Sequence, residues 1–133
     1  MADLGSGLVA RLIAASGVQS LVGSKVHWVK VPQTTEVPYV RMQVISDDRG
    51  EDLDGYTGTH ETRVQVDCFA ATHAASQKIA EAIVAATSRP SVVEGVVFGR
   101  IKADGPRDLG EDVPGKGFIH RASLDLLVWH RLA

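Results

Sequence analysis

The stretch Glu61-Thr62-Arg63-Val64-Gln65-Val66-Asp67-Cys68-Phe69, followed two residues later by Thr72-His73-Ala74-Ala75-Ser76-Gln77-Lys78-Ile79-Ala80-Glu81-Ala82-Ile83-Val84-Ala85-Ala86-Thr87-Ser88, decides the fold. In its first half Val64, Val66 and Cys68 point one way and Arg63, Gln65 and Asp67 the other. That is the alternation of an antiparallel strand with one buried face. In the second half Ala75, Ile79, Ala82, Ile83 and Ala86 recur at helical spacing, with Gln77, Lys78 and Glu81 off the stripe. Thr72 is placed to cap this helix, and Arg89-Pro90 ends it. A strand that turns directly into an alanine-rich helix is a packing unit: small residues let the helix lie close over Val64, Val66 and Cys68.

Working outward, Tyr39 to Ser46 repeats the pattern, with Val40, Met42 and Val44 opposite Arg41 and Gln43. Val26 to Val31 reads as a strand ended by Pro32, and Pro32 to Pro38 as a polar loop. Val96 to Ala103 reads as another strand, and Phe118 to about Leu132 as the last. In that last strand Leu127 and Trp129 are apolar on the otherwise polar face, which implies partial cover or a partner. Leu4 to Ala15 has helical spacing, with Asp3 as N-cap and Gly17 as stop; Gly5 and Gly7 weaken its first turn and move the expected start toward Gly7. A short apolar turn, Val18 to Val22, follows. Asp47 to Thr59 and Asp104 to Lys116 read as two long loops. The expectation is α+β: a mostly antiparallel sheet of about five strands with two helices packed on one face, residues 1–133 forming a single domain.

The 133 residues are 44% apolar and 23% charged, with net charge −2 and a pI near 6.2. No basic excess drives the chain onto nucleic acid or an anionic membrane. No apolar run approaches the roughly 18 residues of a membrane span, and Met1 to Gly5 lacks a basic leader, so no membrane partner and a cytoplasmic origin are expected. The one cysteine, Cys68, cannot form an internal disulfide; on an apolar strand face it reads as a buried structural thiol.

Three motif-like segments fail on context. Gly5-Ser6-Gly7-Leu8-Val9-Ala10 matches a dinucleotide fingerprint but has no strand before it. Gly110 to Gly117 matches a phosphate loop as far as Lys116, yet Gly117 stands where a hydroxyl must hold magnesium, and Glu111 and Asp112 repel phosphate. Asp52, Asp54, Gly55 and Glu61 have the spacing of a calcium loop whose first ligand position is Gly50. The histidines, His27, His60, His73, His120 and His130, form no close ligand pair in sequence. The reading is therefore no catalytic residue, no metal and no cofactor. An enzyme or ligand-binding alternative would rest on His60, Glu61 and His120. The charge distribution says more: Asp47 to Asp54 carries five acids and one arginine, leaving the rest of the chain at +2.

The chain resembles the tail-terminator or tail-completion proteins of long, non-contractile-tailed bacteriophages and of gene transfer agents. The resemblance rests on an N-terminal helix before Val18-Gln19-Ser20-Leu21-Val22-Gly23, a strand opening at Val26, Val37-Pro38-Tyr39-Val40, Arg63 to Ala70 with the helix that follows, and the closing His120 to Trp129. It implies a homo-oligomeric ring, usually of six subunits, that caps the tail tube, ends tail polymerisation and joins tail to head. The implied partners are the tail-tube protein and the head–tail connector. DNA would pass the lumen without specific binding, and the protein, made in the host bacterial cytoplasm, would lie at the head–tail junction of the virion. Asp47, Asp48, Arg49, Glu51, Asp52, Asp54 and Tyr56 in one loop, with Arg107, Asp108, Glu111, Asp112 and Lys116 in the other, are the expected interface or lumen residues. Acidic loops facing the lumen would repel DNA; facing outward, they would dock a neighbouring ring. A different neck or head-completion adaptor is the alternative structural role.

Overall fold

In the computed structural model, which describes residues 3–133, the two segments expected to be loops are strands. Three helices and six strands are formed among them: α1 (Leu4–Ala14), α2 (Ser16–Val22), β1 (Val26–Trp28), β2 (Tyr39–Asp52), β3 (Gly55–Ala70), α3 (His73–Ala86), β4 (Ser91–Val93), β5 (Val96–Val113) and β6 (Gly117–Leu132). The sheet order is β1-β2-β3-β6-β5-β4. All pairs are antiparallel except β1 with β2. The α+β class and the antiparallel character agree with expectation; the additions are a third helix where an apolar turn was read, the short strand β4, and one parallel edge.

The segment Asp47–Thr59 is not a loop but the tip of the β2–β3 hairpin, paired up to Asp52 with Gly55. Likewise Asp104–Lys116 belongs to the β5–β6 hairpin, paired up to Val113 with Gly117. Their polarity misleads because these strands protrude. Beyond β6, which starts pairing β3 at His60 with His130, nothing buries the outer part of β2–β3. Such strands carry polar residues on both faces and lose the alternation that marks a half-buried strand. Glycines at positive φ, Gly55 (118°) and Gly115 (79°), turn the two tips.

All three helices lie on one face. The core joins Leu8, Leu12, Val18 and Val22 to Val40, Met42, Val64, Val66 and Cys68, then to Ile79, Ala80, Ile83, Phe98, Leu124, Leu126 and Val128. On α3 the buried stripe is Ser76, Ile79, Ala80 and Ile83. It is rotated from the expected one, leaving Ala75, Ala82 and Ala86 half-buried at its margin. Thr72 caps α3 by accepting from the Ala75 N–H at 3.1 Å. Asp3 caps α1 through Ser6 N–H at 2.7 Å, so the helix starts at Leu4 despite its glycines. Gly7 has a packing reason: a Cβ there would stand 2.9 Å from Val96 Cγ2. Buried Arg11 crosses from α1 to donate to the carbonyls of Ala86 and Arg89 at the end of α3. Its guanidinium also lies over the Phe98 ring. The cation thus satisfies the Ala86 carbonyl that the helix leaves unpaired and holds the chain just beyond it through Arg89. Burial holds the Arg11 pKa below its usual value.

No single helix among the described residues is long and apolar enough to cross a membrane; the bent pair α1–α2 turns its apolar residues into the core. Cys68 is buried and free, and burial, with Asp67 beside it, pushes its thiol pKa up.

Candidate assembly surfaces

Among the described residues, no helix lies on the polar face of the sheet. At its centre Asp67 is fully buried among its neighbours. It accepts from Arg41 at 3.1 Å and Gln65 at 3.1 Å, with Arg121 Nε 3.9 Å away. Arg41 and Arg121 both lie over the Phe69 ring. A second carboxylate, Asp125, stands 3.6 Å from Arg63 and 3.5 Å from Arg107. Arg107 also donates to buried Ser123 at 3.3 Å. Two neighbouring clusters, Asp67 with Arg41 and Arg121 and Asp125 with Arg63 and Arg107, thus tie together four strands and favour the observed register.

The two hairpins project past opposite ends of the sheet. In the β2–β3 arm, Asp48 pairs with Glu61, Arg49 with His60, Glu51 with Tyr56 and Asp52 with Gly55. At the tip, the Asp54 N–H donates to Asp52, and Leu53 and Tyr56 are exposed. In the β5–β6 arm, Glu111 pairs with Ile119 and Asp112 with Phe118. Lys116 sits in the turn, its N–H on the Val113 carbonyl. Asp108 reaches back to the first turn of α3, 3.0 Å from His73 and 2.7 Å from Gln77. The expected interface residues therefore lie on two separate arms.

Both edges of the sheet are open. β1 covers only Val40–Met42 of β2, leaving the outer edge of the strand unpaired from Gln43 to Asp52. β4 covers only Val96–Phe98 of β5, leaving that edge unpaired from Gly99 to Val113. The first open edge carries the acids of Asp47 to Asp54. The second is basic in its inner part, Arg100, Lys102 and Arg107 against Asp104, and acidic in its outer part, with Asp108, Glu111 and Asp112.

A polar cluster sits at the base of the β2–β3 arm, on the helix side. A register shift between Val44 and Ser46 inserts one residue into β2. This switches faces, so that Asp47 joins the side of Val44 rather than pointing away from it. His60 Nδ1 is 2.9 Å from Asp47 Oδ1, and Thr62 donates to the same oxygen at 2.9 Å. Thr62 Oγ1 is 2.8 Å from His130 Nε2, and the two imidazoles stack with centroids 5.0 Å apart. Burial opposes ionisation of Asp47, but hydrogen bonds from His60 and Thr62 outweigh it and lower its pKa. Burial first, then neighbouring His60, lowers the His130 pKa, with Asp47 opposing. The histidines form no close pair in sequence, but the fold brings two of them together. His60 and His130 are partners across β3 and β6, a proximity that sequence separation hides. The proposed trio of His60, Glu61 and His120 does not converge. Glu61 faces the opposite side of β3 from His60, and His120 lies ten residues from His130 along β6, about 33 Å.

An α+β chain with open edges and projecting arms presents the surfaces of an assembly protein. The chain belongs to the tail completion protein gp17 family, whose model matches residues 6–131. It is thus a structural protein of a phage tail. Among solved structures it is similar to a chain of the virion of a native gene transfer agent (GTA) particle. Identity is 21%, coverage 97% of this chain and 93% of that one, and the TM-score 0.61, a likeness of fold. No curated protein matches the sequence.

Proposed function

We propose that this chain is a ring-forming subunit that caps the tail tube, ends its polymerisation and provides the surface to which the head joins. The observation that carries this reading is the pair of open edges on opposite sides of one sheet. Long unpaired strands invite pairing with another chain. When the two edges differ, the contact is heterologous, and repeated copies close into a ring if the rotation allows. Only the inner part of the second edge is basic, Arg100, Lys102 and Arg107 against Asp104, and it can meet the acidic Asp47–Asp54 side of the next subunit; its outer part, with Asp108, Glu111 and Asp112, is acidic. The exposed apolar residues Leu53 and Tyr56 on one arm and Leu109 and Phe118 on the other supply contact area for stacked rings. The tail-tube protein and the head connector are the partners on the two sides, and DNA passes the lumen without specific binding.

Deleting the gene tests this reading. Tails of uncontrolled length that fail to join heads are expected; normal tails joined to heads contradict it. Labelling the subunit in intact virions separates a terminator on the last tube ring from an adaptor bound to the head.

A further inference from the structure

The cluster at the base of the β2–β3 arm has more ligating atoms in one place than a hydrogen-bond network needs. We propose that Asp47, His60 and His130 bind a divalent transition-metal ion of the zinc class.

One carboxylate oxygen and one nitrogen from each imidazole lie within 4.8 Å of one another. Tetrahedral zinc, with bonds of about 2.0–2.2 Å, holds its ligands roughly 3.3 Å apart. The 2.9 Å between His60 Nδ1 and Asp47 Oδ1 has to open by a few tenths of an ångström, and His130 Nε2 has to turn inward from Thr62. Both are side-chain adjustments. The backbone positions are fixed by strand pairing, Asp47 with Thr62 and His60 with His130. Two imidazoles with one carboxylate favour zinc, cobalt or nickel over magnesium or calcium, which prefer oxygen alone.

The surroundings fit. Thr62, 1% exposed, donates to Asp47 and orients the carboxylate, the role of a hydrogen-bonding partner behind a metal ligand. The three side chains line a groove of about 540 Å³ that also touches Asp3, Leu4 and Leu132, so a fourth position is open to water. Asp47 and His60 belong to the arm and His130 to the end of β6. A bound ion would therefore pin the arm to the sheet and fix its direction.

The test uses the full chain stripped by a chelator and titrated with zinc, with cobalt as a spectroscopic probe and magnesium as control. One zinc per chain is expected, with a higher Tm, tetrahedral cobalt absorption and no response to magnesium. Asp47→Asn and His130→Gln, checked for native circular dichroism, are expected to weaken zinc at least about tenfold. The unmodified chain gives a readout independent of any variant: zinc shifts the imidazole 15N resonances of His60 and His130. Saturating zinc that leaves both resonances in place, or equal affinity in the variants, overturns the proposal. Neither result touches the ring reading, which stands or falls on assembly.

Discussion

Asp67 and Arg41 face each other across β3 and β2 at 3.1 Å, and the aspartate is fully buried although no helix covers that side of the sheet. Its cover consists of the arginines themselves, with the Phe69 ring beneath them. Removing the carboxylate leaves Arg41 and Arg121 facing each other without a counter-charge. Asp67→Ala is expected to cost about 3 kcal/mol, near the lower end for breaking a buried pair because the arginines stay partly hydrated. Asp67→Asn, which keeps hydrogen-bond acceptance, is expected to cost less. Urea unfolding of the two variants checks the order.

Gly7 gives a second expectation. Alanine gains about 1 kcal/mol in helix propensity over glycine, but here its Cβ would press on Val96 and Phe98. Overpacking of this kind typically costs 1–3 kcal/mol. Gly7→Ala is therefore expected to be net destabilising, whereas Gly7→Ala combined with Val96→Ala recovers part of the loss. Equilibrium unfolding of single and double variants shows whether the two sites couple.

Gly7 also shows what is legible in the sequence. The alternation at Val64–Cys68 and the stripe through Ile79 and Ile83 are visible because one face is buried, and the core follows from them. Gly7 reads locally as a weak helix former, while its reason lies ninety residues away on β5. The arms are illegible for the opposite cause: Asp47–Asp54 and Asp104–Lys116 pair as strands with little burial, held by backbone hydrogen bonds and polar side-chain contacts that leave no apolar signature. The cluster of Asp47 and His130 depends on a bulge in β2 and on the β3–β6 register, neither of which has a sequence mark.

The His130 environment makes stability depend on pH. Its folded pKa is depressed below the ordinary 6.5 by burial and by His60. The unfolded chain therefore takes up a proton at pH values where the folded chain does not. Stability contributed by neutral His130 is intact above 6.5 and falls as the pH drops from there toward the folded pKa. The slope is at most about 1.4 kcal/mol per pH unit. Chelator-treated protein unfolded between pH 7.5 and 4.5 is expected to show this loss, and His130→Gln to flatten it. Asp47, whose pKa is lowered from 3.8, acts only in a more acidic window.

Charge reversal addresses the edge contact. Arg100 and Lys102 are exposed on the open edge of β5. Arg100→Glu with Lys102→Glu is expected to leave the monomer fold and urea midpoint nearly unchanged while suppressing self-assembly at low salt. Adding Asp48→Lys and Asp52→Lys on the acidic arm is expected to restore part of it. Light scattering of the three proteins at matched concentration reads the effect.

The most direct test is the mass of the particle formed by the unmodified chain, measured by sedimentation over rising concentration, with and without purified tail tubes. One discrete closed species, a whole-number multiple of 14.2 kDa and favoured by tubes, is the predicted result. A chain that sediments as a monomer under every condition, tubes included, would contradict assembly through its open edges.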